Sequence, residues 1–444
     1  MLDFCLVRAR QSHPHGAKTP SLARGYLKDP SRSFKPGYSG LLGEKSVEFL
    51  RDPAGFVEKY CDQHKSRVFL TRLFMKQTVV IAEHNLLTNF LSHSHENFYN
   101  GLKDFADLFG HNIMFANAEE AAELKCILLP LFGSNAVASY QTVLTDVLDD
   151  WSKNLDHSNE VNLYEEFKNI SLAYNVHIFM GVRKSDDEDF FNSIKELSST
   201  HWHGVTSVPW NFSIPFFGNG GYKRALGAKK KLLKIIAERL SSNSSSFFDE
   251  FRNNNQGNIS QELLYNHMLL FSCALIPKGV GSVLALFFET GSKWKHLLNS
   301  DGKLTEDDLE CILLEVMRMF PPFMGGTKVA SKDTSVGDYH VPAGTAVYYS
   351  FMAAMRDPSA FLYPDEFMPG RWKKKEERKK HLGFGTGLHG CIGQHLTWNC
   401  IKEIIIYTMD NFTISYPDVY LPEVKMLPIF RPKEPYGFRI ARRT

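Results

Sequence analysis

The loop 384–393, with the sequence FGTGLHGCIG, constrains the fold of this chain more than any other stretch. It carries Cys391 between closely spaced glycines and runs directly into a segment with helical hydrophobic spacing. A thiolate there would lie near backbone N–H groups and the positive end of a helix, which lower a cysteine's pKa and suit it to a metal. Gly385, Gly387 and Gly393 leave room for a flat group against the backbone. We interpret Cys391 as the axial ligand of a haem, although a lone cysteine is more often a small buried hydrophobe.

Composition limits the classes of partner. The chain has 444 residues, 43% of them hydrophobic, and a net charge of +2 from 51 basic and 49 acidic residues. Such a balance does not call for nucleic acid. The seven cysteines are scattered and odd in number, which favours a reducing compartment over a disulfide framework. Basic residues interrupt the first 35 residues, so no apolar run there approaches the roughly 20 residues that cross a bilayer. We expect segment 1–35 to be loosely ordered and the protein to be cytoplasmic, either soluble or peripherally membrane-associated.

The pattern Phe-Gly-x-Gly-x-His-x-Cys-x-Gly in this loop resembles the haem-thiolate signature of the cytochrome P-450 superfamily. The resemblance implies a mostly α-helical fold with small β-sheets, of triangular outline, around a buried haem b. It implies that residues 36–444 form a single catalytic domain. It also implies that His389, and Lys125 on a predicted helix over 116–132, bind the haem propionates, a solvated surface residue being the alternative for Lys125. The expected cofactor-binding set is Lys125, Phe384, Gly385, His389, Cys391 and Gly393.

A second set of residues carries the same resemblance. Glu315 and Arg318 are three residues apart on a predicted helix over 306–319, which begins after Thr305 and ends before two prolines. Arg371 follows in a Pro-x-Arg-Trp pattern. Together the three residues are similar to the Glu-Arg-Arg triad of the superfamily and are expected to stabilise the scaffold under the haem. The alternative is an exposed pair of little energetic value.

The predicted central helix, over 263–290, departs from the superfamily pattern. Oxygen-activating members carry an acid and an alcohol in the middle of this helix, because heterolytic cleavage of the O–O bond requires a proton on the distal oxygen. Ile276 and Pro277 stand at those positions, and neither can carry a proton. Pro277 should also kink the helix. Ser272, Cys273 or a water remains as an alternative proton donor.

An enzyme that starts from an organic hydroperoxide needs no such relay. Segments 269–287, 321–333 and 343–372 resemble the branch with allene oxide synthases, hydroperoxide lyases and epoxyalcohol synthases. The insertion that plant members carry before the cysteine is absent, so we expect an animal-type or otherwise divergent member. Leu129 stands where allene oxide synthases have an aromatic residue, which favours an epoxy alcohol or lyase product, unless it is only a core leucine. We predict that Leu129, Ile276 and Pro277 form the apolar catalytic wall.

The predicted reaction is the rearrangement of a polyunsaturated fatty acid hydroperoxide without dioxygen or a reductase. Homolysis of the peroxide would leave an alkoxyl radical, which closes an epoxide on the neighbouring double bond before the hydroxyl returns. An allene oxide or a lyase product remains open. One alternative is a monooxygenase of a lipid or sterol that needs NADPH and a reductase; another is a haem protein that binds a ligand without turnover. We expect a monomer, with the aromatic stretch 201–221 at the substrate mouth or on a membrane surface.

Overall fold

The computed structural model describes residues 43–93, 96–101, 105–155, 160–206, 220–242, 244–254, 259–416 and 421–443, without the side chain of His389. The predicted loosely ordered segment 1–35 lies outside these residues, and so does the part 207–219 of the aromatic stretch. Within the described part, helices dominate and the sheets are small, as the sequence predicted. The division into a terminal segment and one catalytic domain stays a prediction.

The helices are numbered here in chain order. They are α1 Ser46–Arg51, α2 Pro53–His64, α3 His84–His93, α4 Ala106–Phe109, α5 Ala118–Phe132, α6 Ser134–Ser139, α7 Gln141–Asn154, α8 Leu163–Met180, α9 Glu188–His203, α10 Gly220–Ser242, α11 Ser246–Asn254, α12 Gln261–Leu269, α13 Ile276–Glu289, α14 Gly291–Trp294, α15 Glu306–Met319, α16 Phe351–Ala354, α17 Lys375–Arg378 and α18 Gln394–Asn411. A π-helical turn, Leu270–Ala274, joins α12 to α13, and 3-10 turns cover Lys295–Leu297, Pro369–Lys373 and Gly387–His389.

The strands form one five-stranded sheet and several two-stranded ones. They are β1 Val68–Leu73, β2 Lys76–Ile81, β3 Phe98–Asn100, β4 Val161–Asn162, β5 Gly325–Ala330, β6 Thr334–Val336, β7 Tyr339–Val341, β8 Ala346–Ser350, β9 Phe412–Ile414, β10 Val424–Lys425, β11 Arg431–Pro432, β12 Gly437–Phe438 and β13 Ile440–Arg442. The large sheet has the order β1-β2-β8-β5-β3, in which only β2 and β8 are parallel among the described strands. The β1–β2 hairpin lies where the β-branched runs at 68–71 and 78–81 predicted it.

Local signals place the helices that matter for the site. The Thr305 hydroxyl accepts a hydrogen bond from the Asp308 N–H at 3.1 Å and so caps α15, with acidic residues in its first turn. Asn117 caps α5 in the same way, through the N–H of Glu120 at 3.0 Å. Both helices begin within two residues of the predicted positions because such caps are encoded by adjacent residues.

The central helix is bent rather than continuous. The predicted segment 263–290 divides into α12, the π-turn and α13, and Pro277 lies in the first turn of α13, where a missing N–H is tolerated. Two helical stretches, Ala118–Ser139 and Gln261–Glu289, are long and apolar enough to cross a bilayer by length and composition. The second is mostly buried in the fold, as a core helix is, so the pattern alone does not indicate a membrane span.

An aromatic cluster connects the central helix to the helices around it. The rings of Phe132 on α5 and Phe271 in the π-turn have centroids 5.1 Å apart, and the rings of Phe179 on α8 and Phe247 on α11 lie 4.7 Å apart. All four side chains are buried within one large hydrophobic core. Edge-on aromatic pairs of this kind add roughly 1 kcal/mol each beyond their buried area. The cluster therefore fixes α5 against the bend of the central helix.

Candidate functional site

The Cys391 loop folds into a cradle that points its sulfur inward. The Cys391 N–H donates to the Phe384 carbonyl at 2.8 Å, and the loop closes in front of α18. The thiol is enclosed by the protein and yet accessible, as expected for a group that faces an internal cleft. Burial raises the pKa of the Cys391 thiol, whereas the Gly393 N–H and the Lys125 ammonium group act to lower it. The sequence predicted a lowered pKa; that expectation was wrong for the protein alone, because burial outweighs the dipoles. A bound cation would be the largest charge at the site and would reverse the balance.

Two glycines of this loop have a backbone that other residues rarely adopt. Gly385 has a φ of +68° and Gly387 a φ of +70°, both in the left-handed region. A Cβ on Gly387 would also meet the Leu91 carbonyl oxygen at 2.6 Å. Gly393 has an ordinary φ, and a Cβ there would meet Phe132 at 3.8 Å, an ordinary contact. The first two glycines shape the loop, while Gly393 acts through its N–H and leaves open space beside the sulfur.

The middle of the central helix has few accessible residues. Between residues 266 and 290, every residue is buried except Leu275, Ile276 and Gly279. A Cβ on Gly279 would lie 3.9 Å from the ring of Phe323, itself 38% exposed although it directly precedes the buried Met324. We name the accessible surface formed by Leu275, Ile276, Gly279 and Phe323 the central cleft.

Helix α5 packs against both the π-turn of the central helix and the cysteine loop. Its Phe132 touches both the π-turn, through Phe271, and the Gly393 side of the loop. Leu129, one turn earlier, is 49% exposed. The Lys125 ammonium group lies over the loop and donates to the Gly387 carbonyl at 3.4 Å. Burial lowers the pKa of Lys125, and the nearby Cys391 partly offsets this. Lys125 therefore lies close to Cys391, and the exposed Leu129 lies one turn after Lys125 on the same helix.

The predicted catalytic wall lies at the cleft only in part. Ile276 belongs to it and is partly accessible and Leu129 is exposed, whereas Pro277 is buried in the first turn of α13. Its place on the catalytic wall stays a prediction. Its neighbour Leu275, which the sequence did not single out, takes the place facing the cleft.

The proposed alternative proton donors point elsewhere. The Ser272 hydroxyl donates to the Met268 carbonyl at 2.7 Å, and the Cys273 thiol to the Leu269 carbonyl at 3.7 Å. Both side chains are fully buried. Their polar hydrogens are therefore used by the helix itself, and the cleft face of the central helix carries no hydroxyl or carboxylate between residues 266 and 290.

Glu315, Arg318 and Arg371 meet in one buried network. The Arg318 guanidinium donates to both Glu315 carboxylate oxygens, at 2.8 and 2.9 Å, and Arg371 donates to one of them at 3.2 Å. Glu315 and Arg318 are completely buried. The indole of Trp372 and the N–H of Met368 also donate to the carboxylate, at 2.9 and 2.7 Å. The arginines bind backbone carbonyls of the segment 355–366 with their remaining donors. The exposed-pair alternative does not hold, because these charges are desolvated and fully hydrogen-bonded.

A further cation near the cleft was missed by the sequence reasoning. Lys328 on β5 is 6% exposed, and no hydrogen bond or ion pair joins its ammonium group to another described residue. Burial lowers the pKa of Lys328 to about 8. Strand β5 begins two residues after Phe323, and it pairs with β3. Helix α3 comes just before β3 in the chain, and its Leu91 lies against Gly387 of the cysteine loop. A buried unpaired cation requires an anionic partner, and haem propionates would supply one. Lys328 is recognised as a candidate only from its burial, which the sequence does not show.

These features together fit a haem. The cradle offers one sulfur ligand, the walls facing it are apolar, and Lys125 and Lys328 are cations in need of negative charge. The backbone of His389 lies in the loop, but its side chain is outside the described atoms. Its contact with a propionate stays a prediction.

Comparisons with known proteins agree with the site. The model of the family described as Cytochrome P450 matches residues 48–269 and 309–439. The chain is similar to Cytochrome P450 26B1 of Danio rerio, with 26% identity over 71% of this chain and 67% of the relative. It is 31% identical to the mitochondrial cholesterol side-chain cleavage enzyme of Hypanus americanus over a shorter region, 30% of this chain and 26% of that enzyme. The chain thus spans about two thirds of the first relative's length and about a quarter of the second's. Putative cytochrome P450 120 of a Synechocystis strain is 23% identical over 91% of this chain and 96% of its own.

Solved structures show the same fold. Retinoic acid bound cyanobacterial CYP120A1 superposes with a TM-score of 0.76 at 21% identity, over 90% of this chain and 96% of its own. The cytochrome P450DA heme domain gives a TM-score of 0.73 at 17% identity, over 92% and 96%. At such identities the likeness shows the fold alone, and it confirms the fold class that the sequence predicted.

Proposed function

Because this chain belongs to the cytochrome P450 family, whose members use haem b, we propose that it is a haem-thiolate enzyme that rearranges polyunsaturated fatty acid hydroperoxides, with an epoxy alcohol as the product. The observation that carries the proposal is the cleft face of the central helix. Leu275, Ile276 and Gly279 line it, and none of them can deliver a proton. A substrate that brings its own O–O bond needs no proton there. The rearrangement is an isomerisation: both peroxide oxygens stay in the product, and no external oxidant or reductant is consumed.

Each residue of the site has a defined part in this proposal. Cys391 would hold the iron through its sulfur, and Lys125 and Lys328 would neutralise the propionates. When bound, the haem supplies an iron that can exchange one electron with a peroxide oxygen. Leu129, Leu275, Ile276 and Phe323 would exclude water and direct the lipid chain, so that the substrate radical reacts with its own double bond rather than with solvent.

The comparisons favour a second candidate, a monooxygenase that uses dioxygen, NADPH and a reductase. None of the relatives and structures named above carries a name that refers to hydroperoxides; one is named for cholesterol side-chain cleavage and one was solved with retinoic acid. An apolar cleft suits a sterol or an isoprenoid as well as a fatty acid. This candidate requires a proton route that does not pass over the cleft face of residues 266–290.

One experiment separates the two candidates. The haem-loaded full-length protein is mixed with linoleate hydroperoxide under anaerobic conditions without an electron donor, and the products are identified by mass spectrometry. In parallel it is given linoleate, cholesterol or retinoic acid with dioxygen, NADPH and a P450 reductase. We expect the hydroperoxide to be converted, and we expect no oxidation of linoleate, cholesterol or retinoic acid. Unchanged hydroperoxide together with oxidation in the second set would establish the monooxygenase and overturn our proposal.

The allene oxide and lyase products, the animal-type assignment, the monomeric state and the cytoplasmic location stay predictions. The same product spectrum decides among epoxy alcohol, allene oxide and aldehyde. The anaerobic incubation without an electron donor tests whether the reaction is independent of a reductase.

A further inference from the structure

The bend in the central helix leaves one backbone carbonyl without its usual donor. In a continuous helix, the Cys273 carbonyl would accept from the N–H of residue 277, but Pro277 has none. The next N–H, that of Lys278, donates instead to the Leu275 carbonyl at 3.2 Å. Cys273 is completely buried, so its carbonyl needs other hydrogen-bond donors. Without them, an unsatisfied buried acceptor would reduce the stability of the protein.

Two side chains supply those donors. The Ser198 hydroxyl, on α9, donates to the Cys273 carbonyl at 2.7 Å, and the Lys278 ammonium group donates to the same oxygen at 3.0 Å. Lys278 also donates to the Ser198 hydroxyl oxygen. Ser198 is fully buried and Lys278 is 6% exposed. A lysine is rarely buried so deeply, and here its ammonium group closes a triangle of hydrogen bonds around the carbonyl that Pro277 leaves free.

We propose that Ser198 and Lys278 are positioning residues that hold the bend of the central helix and so set the direction in which Leu275 and Ile276 face the cleft. The Cys273 carbonyl lies two residues before Leu275 in the chain. Its orientation therefore affects, through the backbone, the direction of the Leu275 and Ile276 side chains. Ser198 ties this bend to α9, the helix that leads towards the aromatic stretch at 207–219. The inference rests on the proposed function because it takes the cleft as the haem side of that enzyme.

The test uses ligands that bind haem iron from the cleft, so that it does not depend on turnover. Imidazole and the bulkier 4-phenylimidazole are titrated into the haem-loaded full-length protein, and binding is followed by the shift of the Soret band. In Ser198→Ala and Lys278→Met, we expect the ratio of the two affinities to change about fivefold or more, as is typical for residues in one hydrogen-bond network. Lys234→Met is the matched control: Lys234 lies exposed on α10 and is paired with Glu238, and its removal should leave the ratio unchanged.

A double-mutant cycle keeps the proposal testable if a single variant is poorly folded. Pro277→Ala restores the missing N–H, so the Cys273 carbonyl regains a helical donor. In that background, Ser198→Ala should change the affinity ratio less than half as much as it does in the wild-type protein. Equal effects in both backgrounds, or an unchanged ratio in Ser198→Ala and Lys278→Met, would overturn the inference. A protein that takes up no haem, or shows no thiolate signature in its reduced carbon monoxide spectrum, would instead refute the haem site itself.

Discussion

At the scale of single residues, the site depends on a few buried charges whose partners differ in kind. Glu315 is neutralised within the protein by Arg318 and Arg371, whereas Lys328 has no anion among the described residues. The first arrangement stabilises the scaffold, and the second leaves a cation for a ligand. The position of Lys278, next to a proline, shows a third use of a buried charge, as a hydrogen-bond donor to the backbone.

Removal of the Glu315 carboxylate should be severe. Glu315→Gln leaves two buried guanidinium groups without a counter-charge, and we expect the free energy of unfolding to fall by about 3–5 kcal/mol. Urea denaturation of the haem-loaded protein followed by circular dichroism measures this. Glu376→Gln, which removes an exposed carboxylate paired with Lys379, is the control and should change stability by less than about 1 kcal/mol. Equal effects would show that the buried network is not what stabilises the scaffold.

Lys278 gives the stability a pH dependence of defined sign. Burial lowers the pKa of Lys278 to about 8 from its usual 10.5; the Cys273 side chain and Glu165 on α8 act to raise it, and the Lys168 charge acts to lower it. Between these two values the unfolded chain binds more protons, so stability rises with pH. Relative to Lys278→Met, the wild-type protein should gain up to about 3 kcal/mol between pH 7 and pH 10. Urea unfolding at the two pH values measures this difference, and a parallel pH response of both proteins would contradict it.

At the scale of elements, the helices whose limits the sequence predicted are those with local caps. Helix α15 runs over Glu306–Met319 as expected, because Thr305 and the acidic first turn are contiguous with it. The π-turn at Leu270–Ala274 was not predicted, because it depends on Ser198, a donor from a distant helix. The bend precedes Pro277 because the proline ring and its missing N–H disturb the helical turn before it.

The cap of α15 offers a prediction at this scale. Thr305→Ala removes the acceptor of the Asp308 N–H, and we expect a loss of about 1 kcal/mol in stability. Because the same helix carries Glu315 and Arg318, haem uptake should slow as well. The exposed Thr145, whose hydroxyl only donates to the Gln141 carbonyl within α7, is the matched control. A Thr145→Ala variant that loses as much stability as Thr305→Ala would contradict this account of the cap.

At the scale of the whole molecule, the sequence predicted the fold class and the cysteine cradle, because a contiguous motif encodes both. It could not show which side chains face the cleft, since that depends on how α5, the central helix and β5 pack together. Leu275 and Lys328 were missed for this reason, and the burial of Pro277 was not foreseen. The choice between peroxide rearrangement and oxygen activation depends on the same packing, because it rests on what residues 266–290 present to the sulfur.

The fate of isotopic oxygen tests this choice most directly. Linoleate hydroperoxide carrying ¹⁸O at both peroxide positions is incubated in air and unlabelled water with the haem-loaded protein, and with Cys391→Ala as the control for free haem. We predict an epoxy alcohol that retains both labels and forms with the wild-type protein only. A product that contains oxygen from air, or formation of the same product by Cys391→Ala at the wild-type rate, would contradict the account.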